Sequence, residues 1–333
     1  MIITITGAFR NAGDHLIVDR ALTLLRKYSD KDIININRKH IKETDYRLFN
    51  KAKAVILCGG PAYQENIYPE IYNLDLNRIN APVIPLGLGY KQASEKFSFS
   101  EKSLDFIRTI HKKIKNSSAR DIMTKEVLKK IKINNVIMTG CPAWYNMDKL
   151  NKNFTFKKES QINKVAFSVP AKVTADTIKI MKYISERFSE KKLICTFHHG
   201  FFTRFDRDGI KTMIGFLKCA SYAKKYGFKT EDMNSSSSKF KIYDDVDLHI
   251  GYRVHAHIFF LSERKATLLI SEDSRAKGQS ATLGTPDICG IDTVSALKKE
   301  IDAHFHTKGT AIKRAVNKMK KTFPVMKNFL KGI

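Results

Sequence analysis

The stretch HIGYRVHAHIFF, residues 249–260, sets Arg253 and three histidines (His249, His255, His257) in an apolar run just after Asp244, Asp245 and Asp247. Three chemistries compete for these residues. His255 and His257 are metal-ligand types, but no third ligand stands at zinc spacing and no HExxH occurs, so no metal is expected. Alternatively, Arg253 is neutralised by the Asp244/Asp245 run and the whole set is structural. In the third reading Arg253 and His255 face a cleft and meet an anion. The guanidinium is a planar fork for carboxylate or phosphate, histidine moves a proton near neutral pH, and the first N–H groups of a helix starting here add to the site. In an ideal helix Arg253 shares a face with His257, not His255. The anion reading therefore requires a helix that begins at or after Arg253, with His257 turned into packing and His249 on the preceding strand or loop.

Other candidates sit where short β-branched runs end. GAFRNAGDHL does not match GxGxxG; Asp14 there is either a helix cap or, with Asn11, a ligand for sugar hydroxyls. LCGGPAYQEN brings Gln64 and Glu65 just past a glycine pair, and Arg120 is either paired with Asp121 or free to hold an anion. His198 and His199 end the run LICTFHH, with Arg204 close behind; adjacent strand residues point to opposite faces, so at most one histidine faces a cleft.

The elements that must position these residues follow an α/β rhythm. IITIT, DIININ, AVILCGG, PVIPLGLG and NVIMTG alternate with helical stretches over 14–27 and 101–115. After a polar, poorly periodic segment at 151–163 the rhythm restarts with KVAFSVPA, a helix over 175–188, KLICTFHHG, a helix over 208–226, a short strand near Lys229, a serine-rich loop at 234–238, and ATLLISED. Two Rossmann-like domains, 1–150 and 164–305, facing across a cleft are predicted, with ligands at the carboxyl ends of the strands. From Thr307 the tail is basic and has no acid. Ile312, Ala315, Val316, Met319 and Phe323 fall at helical spacing, which predicts an amphipathic helix up to Pro324 that either packs on the first domain or lies on an anionic membrane.

The 333 residues carry 59 Lys+Arg against 33 Asp+Glu, a formal charge of +26, which attracts nucleic acid, anionic lipid or small anions without choosing among them. The lysines are scattered and no nucleic-acid-binding signature accompanies them, so nucleic acid is not the expected partner. The five cysteines are dispersed, without a CxxC, which suits reduced thiols and a cytoplasmic setting. MIITITGAFRN reads as a first strand and not a signal peptide, and no run of eighteen apolar residues spans a membrane.

In order along the chain, GAFRNAGDHLIVDRAL, ILCGGPAYQ, PVIPLGLGY, SSARDIMTKEVL, VIMTGCPAW and DLHIGYRVHAHIFF followed by LLISEDSRAKG resemble the succession of motifs in the polysaccharide pyruvyl transferase family, over roughly residues 1–290. The resemblance implies a GT-B-like pair of Rossmann domains. It also implies transfer of a pyruvyl group from phosphoenolpyruvate, as co-substrate and without a cofactor, onto a sugar of a cell-surface polysaccharide or its lipid-linked precursor. It further implies a donor site of Arg253 and His255 with Lys277 and Arg120, and matches Asn11 and Asp14 to the family's N-terminal element; His255 is the expected acid and Asp14 the base or hydroxyl ligand. The positions at strand ends add His199 to the donor side and Gln64 and Glu65, with Asn11, to the acceptor side. The expected location is cytoplasmic, peripheral on the inner face of the membrane if the tail binds lipid. Two rivals share the scaffold: a GT-B glycosyltransferase using a nucleotide sugar, and a non-catalytic glycan- or membrane-binding relative.

Overall fold

Runs such as Ile2–Thr6 and Ala54–Cys58 are buried along their whole length, as central strands covered on both faces must be. The computed structural model describes residues 1–7, 10–29, 31–92, 98–201 and 206–333. In the first half β1 (Ile2–Thr6), β2 (Ile33–Asn37), β3 (Ala54–Cys58) and β4 (Val83–Leu86) form a parallel sheet in the order β2-β1-β3-β4. A bridge between Leu88 and Ala119 leads on to the parallel pair β5 (Ser117–Ala119) and β6 (Val136–Met138). The helices of this half are α1 (Ala12–Tyr28), α2 (Asp45–Lys51), α3 (Glu101–Lys112) and α4 (Ile122–Lys130).

The second half restarts with β7 (Lys164–Ser168), α5 (Ala175–Arg187), β8 (Lys192–Phe197), α6 (Arg207–Lys225), β9 (Phe228–Asp232), β10 (Leu248–Gly251), α7 (Val254–Ser262), β11 (Ala266–Leu269) and α8 (Ser274–Leu283). Its parallel sheet has the order β11-β10-β7-β8-β9. Two long helices follow, α9 (Thr293–His306) and α10 (Thr310–Lys331). Asn11, Asp121, Thr174, Asp206 and Asp273 start α1, α4, α5, α6 and α8 with a side-chain oxygen on a free N–H, each worth about 1 kcal/mol. The cap of α1 is therefore Asn11, whose Oδ1 accepts from Gly13 N–H at 3.0 Å, and not Asp14.

Leu16, Ile17 and Leu25 of α1 join one hydrophobic cluster with Trp144, Tyr145 and the second-half residues Phe167, Phe240, Ile258 and Met319, so the two halves that face each other also share a core. The tail helix also runs through Pro324 to Lys331. Proline removes one hydrogen bond there, but Met326, Phe329 and Leu330 beyond it are buried and hold the last turns. Its apolar face, Ile312, Ala315, Val316 and Met319, is buried, and α10 packs on α1, α7 and α8, across both halves. That face is not free for a membrane. Among the described residues no helix is long and apolar enough to cross one.

The acidic run does not neutralise Arg253. Asp245 pairs with Lys164 at 2.8 Å, Asp247 with Lys157 at 2.6 Å, and the Asp244 carbonyl accepts from Lys265. His249 and His257 are instead framework. Thr267 Oγ1 stands 2.8 Å from His249 Nδ1 and 3.0 Å from His257 Nδ1, and Ser168 Oγ lies 2.9 Å from His249 Nε2. Burial pushes His198 and His249 well below the ordinary histidine range and His257 down to about 3. These rings fold neutral, so the unfolded chain binds more protons below about pH 6.5. Stability is complete above that pH and is lost as pH falls, by about 1.4 kcal/mol per pH unit for each ring. Urea midpoints at pH 7.5 and 5.5 should differ accordingly; equal midpoints would refute the neutral framework.

Candidate functional site

Gly251 ends β10 at φ 153°, and a β-carbon there would come within 2.5–2.6 Å of the Ser168 backbone and Oγ. Only glycine lets the chain press this closely on the end of β7. The next residues are then tied down: Tyr252 N–H donates to the Ser168 carbonyl at 3.0 Å and Arg253 N–H to Ser168 Oγ at 3.2 Å. Arg253 thus becomes the N-cap of α7 without a side-chain cap, and the helix starts at Val254. That start allows Arg253 and His255 to line one pocket, as the anion reading requires.

Arg253 is buried. Its Nη2 donates to the Pro170 carbonyl at 2.9 Å, while Nε has no hydrogen-bond partner among the described residues. Burial pushes the guanidinium down to about 10, with Glu272 opposing. A buried cation with an open donor is a candidate for anion binding, because a charge-assisted bond would offset the desolvation cost. His255 is pushed down to about 3 by burial and by the positive charges of Arg120, Arg275 and Arg253, so its ring is neutral at physiological pH.

The pocket's remaining walls are Asn11 from the first half and His198, Tyr252, Glu272, Asp273 and Arg275 from the second. Arg275 folds back on Asp273, Nη2 to Oδ2 at 2.6 Å. The halves meet at Gly13: a β-carbon there would fall 2.4 Å from His255 Nδ1. Asp14, one residue on, lines an adjoining cavity of about 80 Å³ with Arg38 and the Gly59–Gly60–Pro61 loop. Burial raises the Asp14 carboxyl, and Arg275, Arg38, His15 and Arg253 oppose the rise, so it feels cations from both halves.

Several sequence candidates lie elsewhere. Lys277 is exposed on α8; Arg275, two residues earlier in the first turn after the Asp273 cap, takes the place expected of it. Arg120 is buried in a pair with Asp121 at 2.9 Å and donates to the Tyr90 carbonyl at 3.0 Å, so it packs the seam and does not line the pocket. Of the two histidines it is His198 that lines the pocket. Its Nε2 lies 2.8 Å from Tyr243 Oη, and its buried Nδ1 has no partner among the described residues. His199 lines a neighbouring cavity of about 320 Å³ with Asp208 and Thr212. Gln64 and Glu65 line neither the Arg253 pocket nor the Asp14 cavity; the Gln64 carbonyl accepts from Ile67 N–H and the Glu65 carbonyl from Ser100 N–H. Arg204 lies outside the described residues. Sequence reasoning missed Arg38, directly after β2, and Lys91, in the loop after β4. Burial and the nearby Arg275 lower Lys91, while Asp273 and Asp14 oppose.

A family model described as polysaccharide pyruvyl transferase matches residues 11–274. No curated protein matches. Solved structures of similar fold include MnaA from S. aureus with UDP, 10% identical with TM-score 0.60, covering 100% of this chain and 97% of that one. The UDP-GlcNAc 2-epimerase from Neisseria meningitidis bound to UDP-GlcNAc is 9% identical with TM-score 0.57, covering 98% of each chain. A variant of the wall teichoic acid polymerase TagF is 10% identical with TM-score 0.54, covering 100% of this chain and 88% of that one. At these identities the likeness is one of fold, the GT-B arrangement of two parallel-sheet halves. With 264 consecutive residues inside the family model, Asn11 at one end of the match and Arg253 and His255 within it, the chain belongs to the polysaccharide pyruvyl transferase family.

Proposed function

We propose that the chain transfers the pyruvyl group of phosphoenolpyruvate to two hydroxyls of a sugar in a polysaccharide or its lipid-linked precursor. The observation that carries this is the buried Nε of Arg253, without a hydrogen-bond partner among the described residues, in a pocket that His255 and Arg275 also line. Phosphoenolpyruvate holds a carboxylate and a phosphate close together and calls for such concentrated positive charge. The pocket is narrow, about 20 Å³, room for little more than a water. An incoming phosphate can draw Arg275 off Asp273 and so enlarge it.

The chemistry needs a proton on the enol carbon, giving a cationic C2. Attack by one hydroxyl forms the first C–O bond, and attack by the second forms the ketal as the C–O bond to phosphate breaks. Each hydroxyl loses its proton, one balancing the proton given to carbon and one leaving with phosphate or a base. In this reading His255 is the acid. Neutral in the empty pocket, it gains its proton once the donor's negative charge offsets Arg120, Arg275 and Arg253. Asp14, held above its ordinary range, is a competent base on the opposite half, with Asn11 beside it and Arg38 across its cavity as acceptor contacts. A peripheral position at an anionic membrane belongs to the same proposal, by a surface other than the tail.

Purified protein with phosphoenolpyruvate and candidate glycans should release phosphate only when acceptor is present, and the acceptor should gain a three-carbon acid by mass. Acceptor-independent release, or none with any glycan, would remove the reading. Arg253→Lys should lower kcat/KM by about ten- to a hundredfold, since an ammonium cannot reproduce the fork. Donor affinity should weaken as pH rises, because binding takes up a proton at His255. Calorimetry in two buffers reads that uptake, and His255→Gln should abolish it; unchanged uptake in the variant would move the proton elsewhere. Gly13→Ala should cut turnover at least tenfold by displacing His255, at about 1–3 kcal/mol of stability. Full activity in that variant would show that the contact between the halves is dispensable.

A further inference from the structure

We propose that the outer face of α6 docks on an anionic lipid bilayer. Ile210, Ile214 and Leu217 repeat at four and three residues on one face of this helix and are 42%, 57% and 50% exposed. The opposite face, Gly209, Phe216, Cys219 and Ala223, is buried against the second-half core, so the stripe points straight away from the protein. Large apolar side chains exposed in a row are unusual on a surface otherwise rich in lysine, and they mark a contact.

The charges beside the stripe identify what is contacted. Arg207, Lys211, Lys218, Lys224 and Lys225 are exposed on α6, and its acids, Asp206 and Asp208, are confined to the cap and first turn. At about 100° per residue Lys211, Lys218 and Lys225 fall along one edge of the stripe and Lys224 along the other. An apolar stripe with a row of three lysines on one edge and a fourth on the other is the arrangement of a helix lying in a bilayer interface, with side chains among the acyl chains and ammonium groups at anionic headgroups. A protein partner would need acidic residues matched to each lysine, whereas an anionic bilayer offers negative charge at every position. This surface rests on the peripheral position proposed above, but its test reads no turnover, so its failure would leave the transfer reaction standing.

The full chain is sedimented with vesicles of phosphatidylcholine alone or with roughly one-third phosphatidylglycerol. It should sediment with the anionic vesicles only, and less as salt rises. Ile210→Ser/Ile214→Ser/Leu217→Ser should reduce partitioning at least about tenfold, and Lys211→Gln/Lys218→Gln by about fivefold per lysine. Both variants should melt at the wild-type temperature, the changed residues being exposed; if the triple variant does not, Leu217→Asp replaces it. Wild-type protein that stays in solution, or an apolar variant that sediments like wild type, overturns the proposal. So does a wild-type oligomer, formed without vesicles, that the triple variant resolves to monomers, since the stripe would then belong to a second copy of the chain.

Discussion

Ser168 closes β7 with three attachments that the candidate site hangs on. Its Oγ accepts the Arg253 N–H and stands beside His249 Nε2, and its carbonyl accepts the Tyr252 N–H. Because Ser168 is the last residue of a central strand, the position of Arg253 is inherited from the sheet and not from a loop. Gly251 makes the approach close enough, and the Ser168–His249–Thr267–His257 chain fills the space behind it with polar groups that carry no charge. Neutral rings matter here. A protonated His249 or His257 would compete with Arg253 for any anion and would need a counter-charge that the described residues do not supply.

The positive charge that bears on the site is small beside the chain's formal +26. Most lysines stand in solvent, where a Debye length of about 8 Å screens them. Arg253, Arg275, Arg38 and Lys91 lie in or beside the two small cavities, where low dielectric strengthens each interaction. Asp14 and Asp273 are set among these cations and keep the empty site from being a pure well of repulsion. The result is a pocket in which Arg275 already has an internal carboxylate partner, Asp273.

The α/β rhythm, most strand cores and the start of α7 were readable from the chain because each rests on local pattern: β-branched runs, caps, and the conflict between helical spacing and a shared Arg253/His255 site. What failed needed exact register. Lys277 and Arg275 stand two residues apart on a helix, and which one reaches the pocket depends on where the Asp273 cap starts it. His198 and His199 differ by one residue at a strand end, which decides between the Tyr243 side and the neighbouring cavity. Gln64 and Glu65 lie in irregular chain, where side-chain direction follows no period. The shared core was beyond reach for another reason: periodicity shows that α1 has a buried face but not that α7, α10 and the 3-10 turn Pro142–Trp144 cover it.

α10 crosses both halves at the end of the described chain. Phe323 lies 5.2 Å from Tyr145 and 6.0 Å from Tyr28 by ring centroids, and Lys320 reaches the Asn151 carbonyl and Asn153. It works as a splint: the segment joining the sheets is clamped from outside by a helix that neither sheet contains. A chain trimmed at Thr307 would bare the apolar surfaces of α1 and α7 and leave Asn151 and Asn153 unheld. Its loss from solution would then reflect an opened core and say nothing about lipid.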